Sequence, residues 1–374
     1  MRKTALLTIA IVSLAVFLLS CGSDSTKSVS SITPTTTSFA FIQQKPNSYL
    51  YYPALGKFTG DQFTTSMVKD PATGNYVSAE IGSIFLNAKG DKAVFELYGG
   101  TDNANPTGWW DIYVGTIDGA SLSQVTNDDD FDEVPQFNPA GTKIVYSSVG
   151  ADTAGQWATV IRNADGTGEQ VLPQPLGAEG TWHPSFSPDG TKIAVEAESM
   201  SASTPFDGII VMNADGSNPA LLTTAYAPPD CWCSDKEPFF TTDGSHIVFT
   251  RYNFPPDGVD TVDIYIMKAN GTAVTRLTDG RGINFDPIVV RGSNNADRIL
   301  FSSNRDNLSS GAAGFELYTM KTDGSGLTRL TNNTVYDGFH QQLFFQGDGA
   351  SVVRAHQLRH WPATPTPAEH RLSW

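Results

Sequence analysis

A short hairpin that recurs along the chain constrains the fold more than any other feature. Its clearest copy spans residues 181–196, TWHPSFSPDGTKIAVE: an apolar strand, the turn Pro188-Asp189-Gly190, and a second apolar strand from Lys192. Proline fixes φ at the first turn position, aspartate suits the second, and glycine takes the left-handed conformation that closes a three-residue hairpin loop. Residues 136–148, 239–251, 344–354 and, more weakly, 85–97 repeat the pattern, and residues 288–301 repeat it with a longer loop. The hairpin glycines Gly90, Gly141, Gly190 and Gly244 set a period near 50 residues, and Gly349 keeps step two periods later. Self-similarity at such a period is the signature of a repeat architecture.

Each hairpin is followed by a second turn, at Asp118-Gly119, Asp165-Gly166, Asp215-Gly216, Asn270-Gly271 and Asp323-Gly324. Branched or aromatic strands (DIYVGT, ATVIRN, GIIVMN, DIYIMK, ELYTMK) precede these turns. Most of the strands after them end in a pair such as Val125-Thr126, Leu222-Thr223, Leu277-Thr278 or Leu330-Thr331. One period therefore holds four strands and two hairpins, with no amphipathic helix between them. A single small sheet has two apolar faces and can bury neither alone. Setting the sheets radially buries each face on a neighbour, with Ile193 and Val195, or Ile247 and Phe249, packing one blade against the next. Two β-sandwiches would not repeat the same turn chemistry so evenly. The sequence thus specifies an all-β, single β-propeller of four-stranded blades. Six blades result if the N-terminal segments 39–42, 49–52, 64–69 and 76–79 supply outer strands to the last repeat, whose own strands fall at 342–345 and 351–356. A seventh, degenerate blade at 39–79 is the alternative count.

The unit F-S-P-D-G-x-K-I, followed by an aromatic strand, D-G and L-T, resembles the TolB-like, WD-related propeller repeat over residues 84–354. That resemblance implies a protein-interaction platform near the outer membrane and peptidoglycan. Some propellers of this repeat type, the oligogalacturonate lyases, use channel His and Gln residues around a metal. The competing expectation is therefore a metal-dependent uronate lyase, with His183, His340 and Gln342 as the residues that would serve it.

The first 20 residues read as a targeting segment: Arg2-Lys3, an apolar run, then Leu18-Leu19-Ser20-Cys21, which resembles the bacterial lipoprotein box. The resemblance implies cleavage before Cys21 and lipid on its sulfur, and Gly22 after it fits outer-membrane delivery. Residues 21–38, rich in Ser and Thr, read as a flexible tether, 39–360 as the propeller and 361–374 as a proline-containing tail. Later stretches are too short and too polar to span a bilayer. Export favours oxidation, so Cys231 and Cys233, flanking Trp232, are expected as a tight disulfide, with two loop thiols as the alternative.

Function is sought in the channel. Inner strands line the axis of a propeller, so equivalent positions form rings. Seven residues before the hairpin glycine stand Ser83, Val134, His183, Glu237, Asp286 and Gln342; two residues earlier stand Ile81, Asp132, Thr181, Asp235, Asn284 and His340. His183, Asp235, Glu237, Asn284, Asp286, His340 and Gln342 are the candidate ligand site at the channel mouth, able to hold a polar ligand or a divalent cation, Ca²⁺ or Mn²⁺. Solvation or capping of strand ends is the plainer role for any one of them. Asp128-Asp129-Asp130, with Asp132 and Glu133, reads first as a solvated acidic loop and second as a weak Ca²⁺ site, since EF-hand spacing is absent. Trp109-Trp110 reads as packing between blades before sugar stacking.

The net charge of -15, without a basic cluster, excludes a phosphate-backbone partner. No Gly-x-Ser-x-Gly elbow or phosphate-cradling loop occurs. The expectation is a non-catalytic, monomeric, lipid-anchored envelope propeller, periplasmic or at the cell surface, that binds protein, peptide or glycan.

Overall fold

The structure, a computed structural model, describes residues 36–44, 51–59, 62–67, 81–98, 110–116, 122–150, 152–199, 205–224, 233–254, 260–292, 296–306, 314–332 and 337–338. The chain is all-β, a single β-propeller of four-stranded blades. It opens with β1 (Thr36–Gln44), β2 (Tyr51–Thr59) and β3 (Gln62–Met67). Blade 1 holds β4 (Ile81–Leu86), β5 (Lys92–Tyr98), β6 (Trp110–Thr116) and β7 (Leu122–Gln124). Blade 2 holds β8 (Phe131–Phe137), β9 (Lys143–Val149), β10 (Ala158–Asn163) and β11 (Gln170–Val171). In blade 3 come β12 (Gly180–Phe186), β13 (Lys192–Ser199), β14 (Phe206–Asn213) and β15 (Ala220–Leu221). In blade 4 follow β16 (Ser234–Phe240), β17 (His246–Asn253), β18 (Thr261–Lys268) and β19 (Thr275–Arg276). Blade 5 is β20 (Asn284–Arg291), β21 (Asp297–Ser303), β22 (Glu316–Lys321) and β23 (Thr328–Arg329).

Five blades are thus built from four consecutive strands each, which corrects the count of six and removes the seventh. The remaining sheet is composite, in the order β24-β1-β2-β3, with β24 being Asp337–Gly338. Among the described residues, 36–67 supply three strands of this sheet, and its fourth comes from β24, far along the chain. Ile42 pairs with Gly338 and Gln43 with Asp337, and the composite sheet lies between blade 5 and blade 1. The strands expected at 76–79, 342–345 and 351–356 lie outside the described residues. β1 starts at Thr36, inside the stretch read as tether, because Thr is as good a strand former as it is a linker residue. β2 runs through Pro53 to Thr59, longer than the 49–52 expected. Pro53 is accommodated because the ladder with β3 begins only at Ala54.

The apolar faces pack as the alternation requires. Ile193 and Val195 join Val145 and Ile161 of blade 2, while Ala194, between them in sequence, points the other way into a cluster with Ile247 and Phe249 of blade 4. Val248 in turn faces Ile299 and Phe301 of blade 5. Each such side chain, fully buried, contributes roughly 1.5–3 kcal/mol.

Two signatures acquire a physical role. Asp189 accepts from Ser187 Oγ, Thr191 N and Thr191 Oγ1 at 2.6, 3.0 and 2.9 Å, which pulls its carboxyl down to about 2 and fixes the hairpin turn. The Leu-Thr pair prolongs each short outer strand by one reciprocal link. Leu277 N donates to Ile264 O at 2.8 Å, and Ile264 N donates back to Thr278 Oγ1 at 3.0 Å. The same exchange joins Ile112 to Val125-Thr126, Ile209 to Leu222-Thr223 and Leu317 to Leu330-Thr331. Gly271, at φ 83°, lets the second turn of blade 4 approach blade 3 so closely that a Cβ there would sit 2.9 Å from Leu222 O.

Candidate functional site

The ring aligned from the sequence is a real structural level, marked by backbone conformation. Val134, His183, Glu237 and Asp286 all have positive φ, between 47° and 57°, and each precedes a proline. Each lies at a β-bulge in an inner strand, between Glu133 and Gln136, Trp182 and Ser185, Lys236 and Phe239, and Phe285 and Ile288. Left-handed backbone at a residue with a Cβ costs about 1–3 kcal/mol and persists only where the surroundings over-determine it. Here the bulge turns the residue's N–H toward the preceding blade. Val134 N donates to Glu96 Oε2 at 2.6 Å, His183 N to Ser147 Oγ at 3.1 Å, and Asp286 N to Glu237 Oε2 at 2.8 Å. Because Val134 shares the geometry, the strain belongs to blade-to-blade latching and not to a special chemistry of the acidic members.

The sequence expected these side chains at a wet channel mouth; the structure buries them. His183 is 9 % exposed, Glu237 6 % and Asp286 4 %, and Asp235 and Asn284 are fully enclosed. Each is drawn into a seam between or within blades. Asp235 forms a two-armed pair with Arg251 Nε and Nη2 at 2.6 and 2.7 Å. Asn284 accepts from Ser303 Oγ at 2.7 Å and donates to Val262 O at 3.1 Å and Asp263 Oδ1 at 3.2 Å. Glu237 Oε2 accepts from Thr250 Oγ1 at 2.6 Å as well as from Asp286 N. Among the described members, Glu237 and Asp286 meet directly. His340 and Gln342 lie outside the described residues, as do Cys21, Cys231 and Trp109. Cys233 is disulfide-bonded to a partner outside them, and its Sγ lies 2.9 Å from Asn253 Oδ1.

A buried ionic cluster between blades 3 and 4 was not foreseen. Lys236 is 1 % exposed, its Nζ 2.5 Å from Glu196 Oε1 and 3.9 Å from Asp207 Oδ1, while His183 Nδ1 lies 3.0 Å from Glu196 Oε2. Burial alone would lower the Lys236 ammonium, but the carboxylates of Asp207, Glu196 and Glu198 outweigh it and hold it above its ordinary value. Burial lifts Glu198 to about 8 and Asp207 to about 6, each moderated by Lys236. The signal was present six residues after each hairpin glycine, where Glu96, Ser147, Glu196 and Thr250 stand. Those side chains are the partners of the ring.

The acidic loop is only partly solvated: Asp129 is exposed, and Asp128 and Glu133 are half-buried. Asp130 and Asp132 are buried. Burial first, then the charge of Asp128, pushes Asp132 up to about 8, and Asp128 is raised for the same first reason. They line a crevice with Tyr146, Ser148 and Asp152. Beside it runs an aromatic arc across three blades. Trp110 meets Phe131 at 6.4 Å between ring centroids, Phe131 meets Trp157 edge-on at 5.6 Å, and Trp157 meets the buried Trp182 at 6.4 Å. Trp110, Phe131 and Trp157 are half-buried. All lie where β6, β8 and β10 begin, so they share one face of the propeller.

In fold the chain is similar to the β-propellers of TolB structures. The structure of TolB from Acinetobacter baumannii superposes with a TM-score of 0.59 at 14 % identity, covering 81 % of this chain and 65 % of that one. A putative TolB from Agrobacterium tumefaciens gives 0.56 at 14 % identity, covering 81 % and 92 %. The hydrazine synthase of Kuenenia stuttgartiensis gives 0.55 at 14 % identity, covering 81 % of this chain and 46 % of that one. This chain thus spans just under two thirds of the Acinetobacter TolB. No family model and no curated protein matches the sequence. Among the described residues no helix is long and apolar enough to cross a membrane.

Proposed function

We propose that the protein is a lipid-anchored binding scaffold of the bacterial cell envelope, tethered through Cys21, that presents one propeller face to a protein, peptide or glycan. The aromatic arc of Trp110, Phe131 and Trp157 carries this reading. Partly exposed aromatics offer flat apolar area at little conformational cost, the surface that polypeptides and sugar faces both use. The polar ring supports it from the other side: Glu237 and Glu196 already hold hydrogen bonds from neighbouring blades, which suits a latch better than a reaction centre. The TolB-like fold and the lipoprotein-like leader support the envelope as the place of work.

Mature protein immobilised and passed over envelope extract, beside Trp157→Ala, tests the reading. A species retained by the parent and lost by the variant, with both melting alike, supports it; equal retention by both overturns the assignment of the face. Release of unsaturated product from polygalacturonate by the parent would replace the scaffold with the lyase reading.

A further inference from the structure

We infer that the seam between blades 1 and 2 is a site for a hard divalent cation, Ca²⁺ in the first instance, held by Asp111, Asp128 and Asp132. One carboxylate oxygen from each lies within 4.8 Å of the other two. Three oxygens that close lie within about 2.8 Å of a common centre, a few tenths of an ångström from the usual Ca²⁺–oxygen distance of about 2.4 Å. Asp132 is only 1 % exposed and faces the crevice, and its Oδ2 has no hydrogen-bond partner. A buried carboxylate oxygen left in that state is costly unless something positive meets it.

The repeats show what is missing. Asp132 stands opposite Ser148 in the register of β8 and β9, and the same position in blade 4 pairs Asp235 with Arg251. There the arginine closes on the acid with two hydrogen bonds. Asp111 corresponds to Asp263 and Glu316, each directly before the residue whose N–H the Thr hydroxyl accepts. Asp263 is paired with Arg276, and Glu316 with Arg329 at 2.7 Å. In blade 1 the residue in that place is Gln124, which gives Asp111 one neutral hydrogen bond at 3.1 Å. Blades 1 and 2 therefore keep both acids, lose both arginines and bring in a third carboxylate from Asp128. Among the described residues Arg162 is the guanidinium that reaches this seam: it pairs with Glu169, donates to Val125 O at 2.9 Å and makes a longer ion pair with Asp128 at 3.8 Å.

An all-oxygen, mainly carboxylate donor set selects Ca²⁺, Mg²⁺ or Mn²⁺ over Zn²⁺ or Cu²⁺, which favour nitrogen and sulfur. Asp111 belongs to β6, Asp132 to β8, and Asp128 to the link between blades. An ion there would join blade 1 to blade 2, whereas the arginines of blades 4 and 5 close on acids of their own blade; Asp111 and Asp132 directly follow Trp110 and Phe131 of the aromatic arc.

The test is Tb³⁺ luminescence sensitised by the neighbouring tyrosine and tryptophan, displaced by Ca²⁺, together with thermal melts of the mature protein in EDTA and in millimolar CaCl₂, MgCl₂ or MnCl₂. The expected result is a cation-dependent rise in melting temperature and displaceable Tb³⁺ emission. Asp132→Asn should weaken binding at least about tenfold. Gln124→Arg, which copies the sibling blades, should raise the melting temperature in EDTA and abolish most of the cation response. It serves alone if Asp132→Asn does not fold. Identical melts of the parent in EDTA and in all three cations, with no Tb³⁺ emission, would overturn the site. So would an unchanged cation response in Gln124→Arg.

Discussion

Replacing Lys236 by Met tests the buried ionic cluster most sharply. The methionine keeps the volume of the lysine stem and removes only the charge. The ammonium stands 2.5 Å from Glu196 and 3.9 Å from Asp207, at a site 1 % exposed, so no water replaces it. Breaking a buried pair by removing one partner costs about 3–5 kcal/mol, because the carboxylates remain buried without a counter-ion. A propeller of this size shifts by roughly 2 °C per kcal/mol, so the melting temperature should fall by about 6–10 °C near neutrality.

The pH dependence gives the cluster its fingerprint. Asp207 and Glu198, at about 6 and about 8 when folded, lie above their unfolded values. The folded protein therefore holds protons that the unfolded chain has shed, and the stability from these groups is greatest in acid and falls as pH rises through 4 to 8. Without Lys236 both groups would titrate higher still, so the loss should be visibly smaller at about pH 5 than at about pH 8. Circular-dichroism melts at the two values read the difference directly. Lys236→Met combined with Glu196→Gln should recover about half of the loss, since the closest uncompensated charge is gone. An equal shift at both pH values, or a double variant no better than the single, would refute the argument.

Other outcomes follow from the same packing. Thr278→Val, which keeps the shape but orphans the buried Ile264 N–H, should cost about 1–3 kcal/mol in urea unfolding, and Thr278→Ser should restore most of it. Ile247→Ala, fully buried against blade 3, should cost about 3–4 kcal/mol, whereas Leu327→Ala, 44 % exposed, should stay within about 0.5 kcal/mol. Cys21→Ala should move the protein from the membrane fraction to the soluble envelope fraction and remove the lipid mass; unchanged fractionation would reject the anchor.

Much of this molecule was legible in one dimension because its repeat is local. The turn Pro188-Asp189-Gly190 closes on residues two positions away, the Leu-Thr pair answers a strand 14 residues before it, and Ile193 and Ala194 alternate between two faces by strand geometry alone. Such interactions recur at a fixed offset, so the blade, its faces and even the ring of His183, Glu237 and Asp286 could be aligned by counting. What counting could not reveal was which of those side chains see water. That depends on the neighbouring blade, some 40 or 50 residues away, as with Val134 and Glu96 or Asp286 and Glu237. The union of β24 with β1 joins opposite ends of the chain, and the meeting of Asp111 with Asp132 needs the register of two sheets at once. Sequence fixes what repeats; only the closed ring decides which charges are shut in together, because burial is a property of neighbours in space and not of position in the period.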